Sequence, residues 1–233
     1  MSRIARFIAL LLVAGVSLGD RLAAQDSFPA RPPKPTRLTP ARYPPYEEAT
    51  LPNGLAIVVV ARHAQPLVSV SLSFKAGGVY DPAGKEGLAE LAAQLLTKGT
   101  PTRTAEEIAA TVEGSGGRIG ANAGDDFLMI NVDALADQLE LAFTLLGDVV
   151  QHPSFPDKEI ELARTRQLSA LRLAVSEPVS VGLRFLRREI FGPSPYGRYP
   201  TEDSYKAVTR DDLVAYAQTR LRPGGALLVV AGT

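Results

Sequence analysis

The chain has 233 residues, with 25 Lys+Arg against 25 Asp+Glu, two His and no Cys. The lack of Cys excludes a disulfide framework, thiolate zinc sites, a Cys nucleophile and a lipoprotein anchor. Balanced charge gives no electrostatic case for a nucleic-acid partner, and 45% hydrophobic with 21% charged residues is ordinary globular composition.

Arg3 and Arg6 precede an uncharged run from Phe7 to Gly19, followed by Asp20, Arg21 and the small-residue zone Leu22 to Gln25. This is the layout of a signal peptide over residues 1–25, with an uncleaved anchor as the alternative. The run is short for a bilayer span, which takes about 20 apolar residues. It predicts an exported chain, periplasmic or extracellular, with no membrane contact after signal cleavage. Residues 26–46 carry Pro29, Pro32, Pro33, Pro35, Pro40, Pro44 and Pro45. Proline fixes φ and removes amide donors, so this stretch reads as an extended linker. A domain over residues 47–233 follows.

Asn53-Gly54 is a tight-turn signal between two β-type runs, the second being the apolar Leu55 to Val60. Val68, Val70, Leu72 and Phe74 alternate with serines, which is the period of a half-buried strand. Leu88, Leu91, Ala92, Leu95 and Leu96 share one helical face, closed by Gly99. Thr104 with Glu107 forms a capping-box pattern for a second helix with Ile108 and Val112 inward, ended by Gly114. Strands are expected near Arg118 to Ala123 and Phe127 to Val132. Leu135, Leu139, Ala142, Leu146 and Val149 mark a third helix. Pro156 is placed to start a fourth, running to about Ser176 before Pro178. Ser180 to Ile190 reads as helical, Thr209 and Asp212 as a cap, and Leu227 to Val230 as a last strand. Strands arrive in consecutive pairs. That predicts an α+β fold, a mainly antiparallel sheet with helices on one face.

Several motif matches carry no chemistry. Gly15 to Gly19 fits the serine-hydrolase G-x-S-x-G pattern but lies in the export segment. Gly78 to Lys85 has phosphate-loop character, yet is one residue too long, with Glu86 where a Ser or Thr should stand. Gly114 to Gly120 lacks dinucleotide-loop spacing and follows a helix. Glu86 and Glu90 read as a solvated helix face, Asp125-Asp126 as turn formers, and Arg184, Arg187 and Arg188 as a solvated basic cluster. His63 and His152 are not at metal-ligand spacing.

The string Gly87 to Thr100, GLAELAAQLLTKGT, resembles the metal helix of the pitrilysin/insulinase zinc peptidases, which reads G-L-A-H-x-x-E-H-x-x-x-K-G-T. Further matches are Leu51-Pro52-Asn53-Gly54-Leu55, Lys75-Ala76-Gly77-Gly78, Gly116-Gly117, Phe155-Pro156, Ser194-Pro195-Tyr196-Gly197 and Pro223 to Gly232. The resemblance thus runs from Leu51 to Gly232.

In that family, two His at i and i+4 bind zinc and the Glu between them polarises water. Those three positions hold Glu90, Ala93 and Gln94 here. The last ligand, a Glu on a later helix, would fall within Ser169 to Leu173, which has none, and Arg172 would put positive charge near a cation. The resemblance therefore implies a non-catalytic domain with no cofactor expected. Its implied role is companion half or subunit to a zinc-bearing homologous partner, helping to enclose or bind extended peptides. The matching substrate edge is Gly120, Ala121, Asn122, Ala123 and Gly124, where a Pro at Asn122 should remove a backbone donor. Two alternatives stay open. One is an active zinc metalloendopeptidase with a displaced site using Glu90. The other is a free-standing peptide-binding or structural module.

Overall fold

The computed structural model describes residues 44–233. The expected signal peptide, the G-x-S-x-G match within it, and the proline-rich stretch up to Tyr43 lie outside the described residues.

Strands β1 (Glu47–Thr50) and β2 (Ala56–Ala61) form an antiparallel pair. Gly54 supplies the left-handed φ of +87° their turn requires, and Asn53 Oδ1 accepts the Leu55 amide at 3.1 Å. Strand β3 (Leu67–Phe74) buries Val68, Val70 and Phe74, following its period of two. Strands β4 (Arg118–Ala123), β5 (Leu128–Leu135) and β6 (Leu227–Gly232) complete one six-stranded sheet, ordered β1-β2-β6-β3-β5-β4. Only the β2–β6 pair is parallel. The last strand therefore enters between β2 and β3, which follow each other in sequence but do not touch. It passes so close to β3 that a side chain at Gly232 would strike Val68.

The helices are α1 (Leu88–Leu95), α2 (Ala105–Gly114), α3 (Leu139–Gln151), α4 (Asp157–Ser176), α5 (Pro178–Phe191), α6 (Glu202–Ala207) and α7 (Arg210–Arg220). Capping boxes open α2 at Thr104 with Glu107 and α7 at Thr209 with Asp212, as their sequence predicts. The core lies on one face of the sheet, where Val70, Phe74, Leu128, Ile130 and Val132 pack in one cluster with Leu88, Leu91, Ala92 and Leu95 of α1. Each such fully buried aliphatic side chain stabilises the fold by about 2 kcal/mol. Among the described residues no helix is long and apolar enough to cross a membrane.

Two boundaries differ from the sequence pattern. Leu135 belongs to β5, where it pairs with Leu67, and α3 begins only at Leu139. The ladder with β3 outcompetes helical periodicity at that position. Pro156 caps α4 in extended backbone (φ −63°, ψ 136°) and lies just outside the helix. Helix α6 had no expectation, since six residues are too short for a periodic signal.

Candidate functional site

Helix α1 begins with an unusual N-cap. Gly87 takes φ +100°, and a side chain there would strike the Tyr205 ring. The cap acceptor comes instead from Asp81, six residues upstream. Its two carboxylate oxygens accept the Gly87 amide at 2.8 Å and the Ala89 amide at 2.9 Å. Burial pushes the Asp81 carboxyl up to about 6, against the lowering effect of those two amides.

Beside this helix start lies a cleft of about 380 Å³, lined among others by Asp81, Glu86, Glu90, Asp125, Arg187 and Arg198. Glu90 and Glu86 both face it, so they do not form the solvated helix face that their spacing suggests. Glu86 accepts the Gly84 amide at 3.1 Å, and Arg198 approaches it at 3.5 Å. Glu90 Oε2 accepts from the Tyr205 hydroxyl at 2.6 Å. Burial, and then this carboxylate, push the Tyr205 phenol far above its ordinary value. Asp125 forms more than a turn. Its Oδ1 accepts from Arg187 Nη2 at 2.6 Å, while Arg187 Nε donates to the Tyr196 carbonyl at 2.5 Å. Arg184 lies over the Tyr199 ring at 5.3 Å. Two of the three expected solvent-facing arginines thus face the body of the protein.

The motif positions do not converge on a metal. Ala93 is 1% exposed in the apolar core, and neither it nor Gln94 lines the cleft. No residue of 169–173 lines the cleft either. Leu171 points into the core, and Arg172 Nε binds Glu202 at 3.0 Å. Arg172 is therefore paired with α6, where its charge is compensated. Among the described residues, no three His, Cys, Asp or Glu side chains are grouped as a metal ion would need. The donor set does not fit a zinc ion held by imidazoles and carboxylates. Glu90 is committed to Tyr205, and the other two motif positions carry a methyl and a neutral amide.

Strand β4 forms the outer edge of the sheet. Ala123 and Gly124 face the cleft that Glu90 lines, whereas Gly120, Ala121 and Asn122 line a separate groove with Asn131 and Asp133. The Gly124 amide donates to the Phe127 carbonyl at 2.8 Å, continuing the Ala123–Leu128 register. Antiparallel alternation then turns the Asn122 and Gly120 amides inward to β5, and those of Ala121 and Ala123 toward the open edge. Asn122 is thus not an edge donor. A proline there would break the sheet's own ladder. The family resemblance implied the edge, but only the register shows which amides face out. Tyr205, Arg198 and Asp81 carried no sequence signal of a site.

The family described as Insulinase (Peptidase family M16) matches residues 56–199. The chain belongs to this family. It is 32% identical over 186 residues to an uncharacterized zinc protease of Mycobacterium leprae, covering 78% of this chain and 42% of that protein. It is 26% identical over 159 residues to a non-peptidase homolog of Helicobacter pylori, covering 67% of this chain and 37% of that one. Its fold is similar to the crystal structure of a peptidase M16 inactive domain from Pseudomonas fluorescens, with TM-score 0.76 and 22% identity. That match covers 81% of this chain and 46% of that one. The M16 chain described here thus spans less than half the length of these relatives.

Proposed function

We propose that this M16 domain is a non-catalytic companion to a zinc-bearing homologous domain or subunit, in which it helps enclose or bind extended peptides. The observation that carries the reading is the state of the three motif positions. Glu90 is held by Tyr205 at 2.6 Å, and Ala93 and Gln94 offer neither a ligand nor a base. Water activation needs a metal held open to it and a base within hydrogen-bond reach. An M16 domain described as inactive and a non-peptidase homolog among the relatives support the reading.

The peptide would add to the open edge of β4 through the outward amides of Ala121 and Ala123. Residues 1–25 would direct the chain out of the cytoplasm, residues 26–46 would tether it, and residues 47–233 would form the companion domain. The test is zinc content and peptide cleavage by the isolated chain. The reading expects neither bound zinc nor chelator-sensitive cleavage. One equivalent of zinc with such cleavage would favour the displaced-site peptidase, with Glu90 among its ligands.

A further inference from the structure

Helix α5 is joined to the body by polar contacts rather than by core packing. It lies beside α4 yet contains no buried residue. Its half-buried residues are Ser180, Arg184 and Arg187, spaced so that one polar line faces inward. The turn Pro195–Gly197 is fastened to it. Arg187 Nε donates to the Tyr196 carbonyl, and the Phe191 and Tyr196 rings lie 5.7 Å apart. A side chain at Gly197 would strike the Gly192 carbonyl. Residues 178–197 are thus tied into one unit.

Among the described residues, three hydrogen-bond, ion-pair or cation–π contacts of side chains hold that unit to the body. Arg187 Nη2 binds Asp125 at 2.6 Å, with the two side chains 36% and 51% exposed. The Tyr196 hydroxyl donates to Asp126 at 2.5 Å, and Arg184 lies over Tyr199. Both aspartates belong to the turn between β4 and β5. The cleft beside Glu90 is lined by Gly124 and Asp125 of this turn and by Arg187 and Pro195 of the unit. The Arg187–Asp125 pair therefore joins two walls of the cleft, at the end of the β4 edge. Each end of the unit is a single extended residue. Glu177 (φ −93°, ψ 116°) ends α4 and begins α5, and Arg198 (φ −86°, ψ 152°) follows the turn. Element-terminal positions of this kind absorb the backbone rotation of a hinge.

Segments with few buried apolar contacts open at a lower cost than the whole fold. Releasing α5 uncovers no buried side chain of its own, and exposed ion pairs weaken as salt screens them. We propose that residues 178–197 form a strap at the cleft, latched by Arg187–Asp125 and Tyr196–Asp126. The strap opens as a unit while the rest of the domain stays folded, and its opening lets an extended chain pass from the β4 edge into the cleft. It regulates the site of the companion-domain reading and rests on that reading only for what enters.

Hydrogen–deuterium exchange of the purified chain, followed by segment across a urea series, tests the opening without any peptide. A released 14-residue helix is marginal in water, so its amides exchange. The α5 amides should exchange through an opening of small urea dependence, whereas α1 should follow global unfolding. Raising NaCl from about 0.05 M to about 1 M should speed α5 exchange by at least about threefold. Arg187→Gln combined with Tyr196→Phe should speed it by at least about tenfold, since an ion pair and a hydrogen bond to a carboxylate are lost. Arg118→Gln breaks the exposed Arg118–Asp133 pair outside the strap and should leave α5 exchange unchanged. Access is read separately. The chain has no Cys, so Ala123→Cys puts a single thiol in the cleft wall. In that background the latch variant should raise labelling by fluorescein maleimide, relative to the smaller N-ethylmaleimide, by about the same factor as α5 exchange. If the latch variant does not fold, the salt series on the wild type and on Ala123→Cys supplies both readouts.

Three results would overturn the proposal. They are α5 amides protected as strongly as those of α1 with the same urea dependence, α5 exchange indifferent to both salt and the latch variant, or faster α5 exchange with an unchanged labelling ratio at position 123. Each is distinct from failure of the companion reading, which would appear as zinc-dependent cleavage.

Discussion

Tyr205 of α6 and Glu90 of α1 share a hydrogen bond of 2.6 Å, and Glu90 stands where the resembled motif carries its first histidine. The contact explains why the surviving carboxylate is not a free ligand. It also ties the short α6 to the most buried helix in the fold. Hydrogen bonds to an ionised partner contribute about 1.5–3 kcal/mol. Tyr205→Phe should therefore destabilise the domain by about 2 kcal/mol. A cycle with Glu90→Gln should show strong coupling in urea denaturation. Additive effects of the two changes would show that the bond contributes nothing.

Gly87 is required twice at one position. Its φ of +100° disfavours a side chain, and the Tyr205 ring fills the space a Cβ would take. Left-handed backbone alone costs a non-glycine residue about 1–2 kcal/mol. Gly87→Ala should thus cost more, about 3 kcal/mol, and combining it with Tyr205→Ala should relieve only the steric share. Thermal or urea unfolding of the three variants checks this. A neutral Gly87→Ala would contradict the described helix start.

Asp81 predicts a pH signature. Its carboxyl is raised in the folded protein to about 6, so folding favours the protonated form. The stabilisation is fully present below the ordinary carboxylate value near 4 and is lost as pH rises through 6. From that shift, the loss is about 3 kcal/mol. Wild-type stability should fall over this window relative to Asp81→Asn, which has no proton to lose. Equal slopes for the two proteins in urea titrations at pH 4 to 7 would contradict the assignment.

Proline at three successive positions of β4 has opposite expected effects. Ala121→Pro or Ala123→Pro removes an outward amide and should leave the sheet folded while weakening peptide binding. Asn122→Pro breaks an inward ladder bond and should cost about 3 kcal/mol of stability. Isothermal titration with an extended peptide, alongside urea unfolding, distinguishes them. Unchanged peptide affinity in a folded Ala121→Pro variant would remove the edge as the binding surface.

The fold was largely legible from local pattern. The serine-alternated run before Phe74 predicted β3, and the leucines of Gly87 to Thr100 predicted the buried α1. Both signals are strong because burial fixes the side-chain period. The parallel insertion of β6 between β2 and β3 was not legible, because local periodicity carries no information about which strands pair. The site was half legible. Glu90, Ala93 and Gln94 stand out against the resembled motif, but Tyr205 reaches Glu90 across 115 residues of sequence. Likewise Asp81 looks like any turn residue before Pro82 until its carboxylate is seen on the α1 amides. Ser180 to Ile190 reads as a helix from its sequence, but only the fold shows that none of its residues is buried.

The central claim is that the motif positions cannot hold a catalytic metal. The most direct measurement is elemental zinc per chain, with cleavage of a fluorogenic peptide before and after chelation, on the isolated wild-type chain dialysed against zinc. The account predicts well under one equivalent of retained zinc and no cleavage that a chelator abolishes. One retained equivalent, with cleavage lost on chelation and restored by zinc, would contradict it.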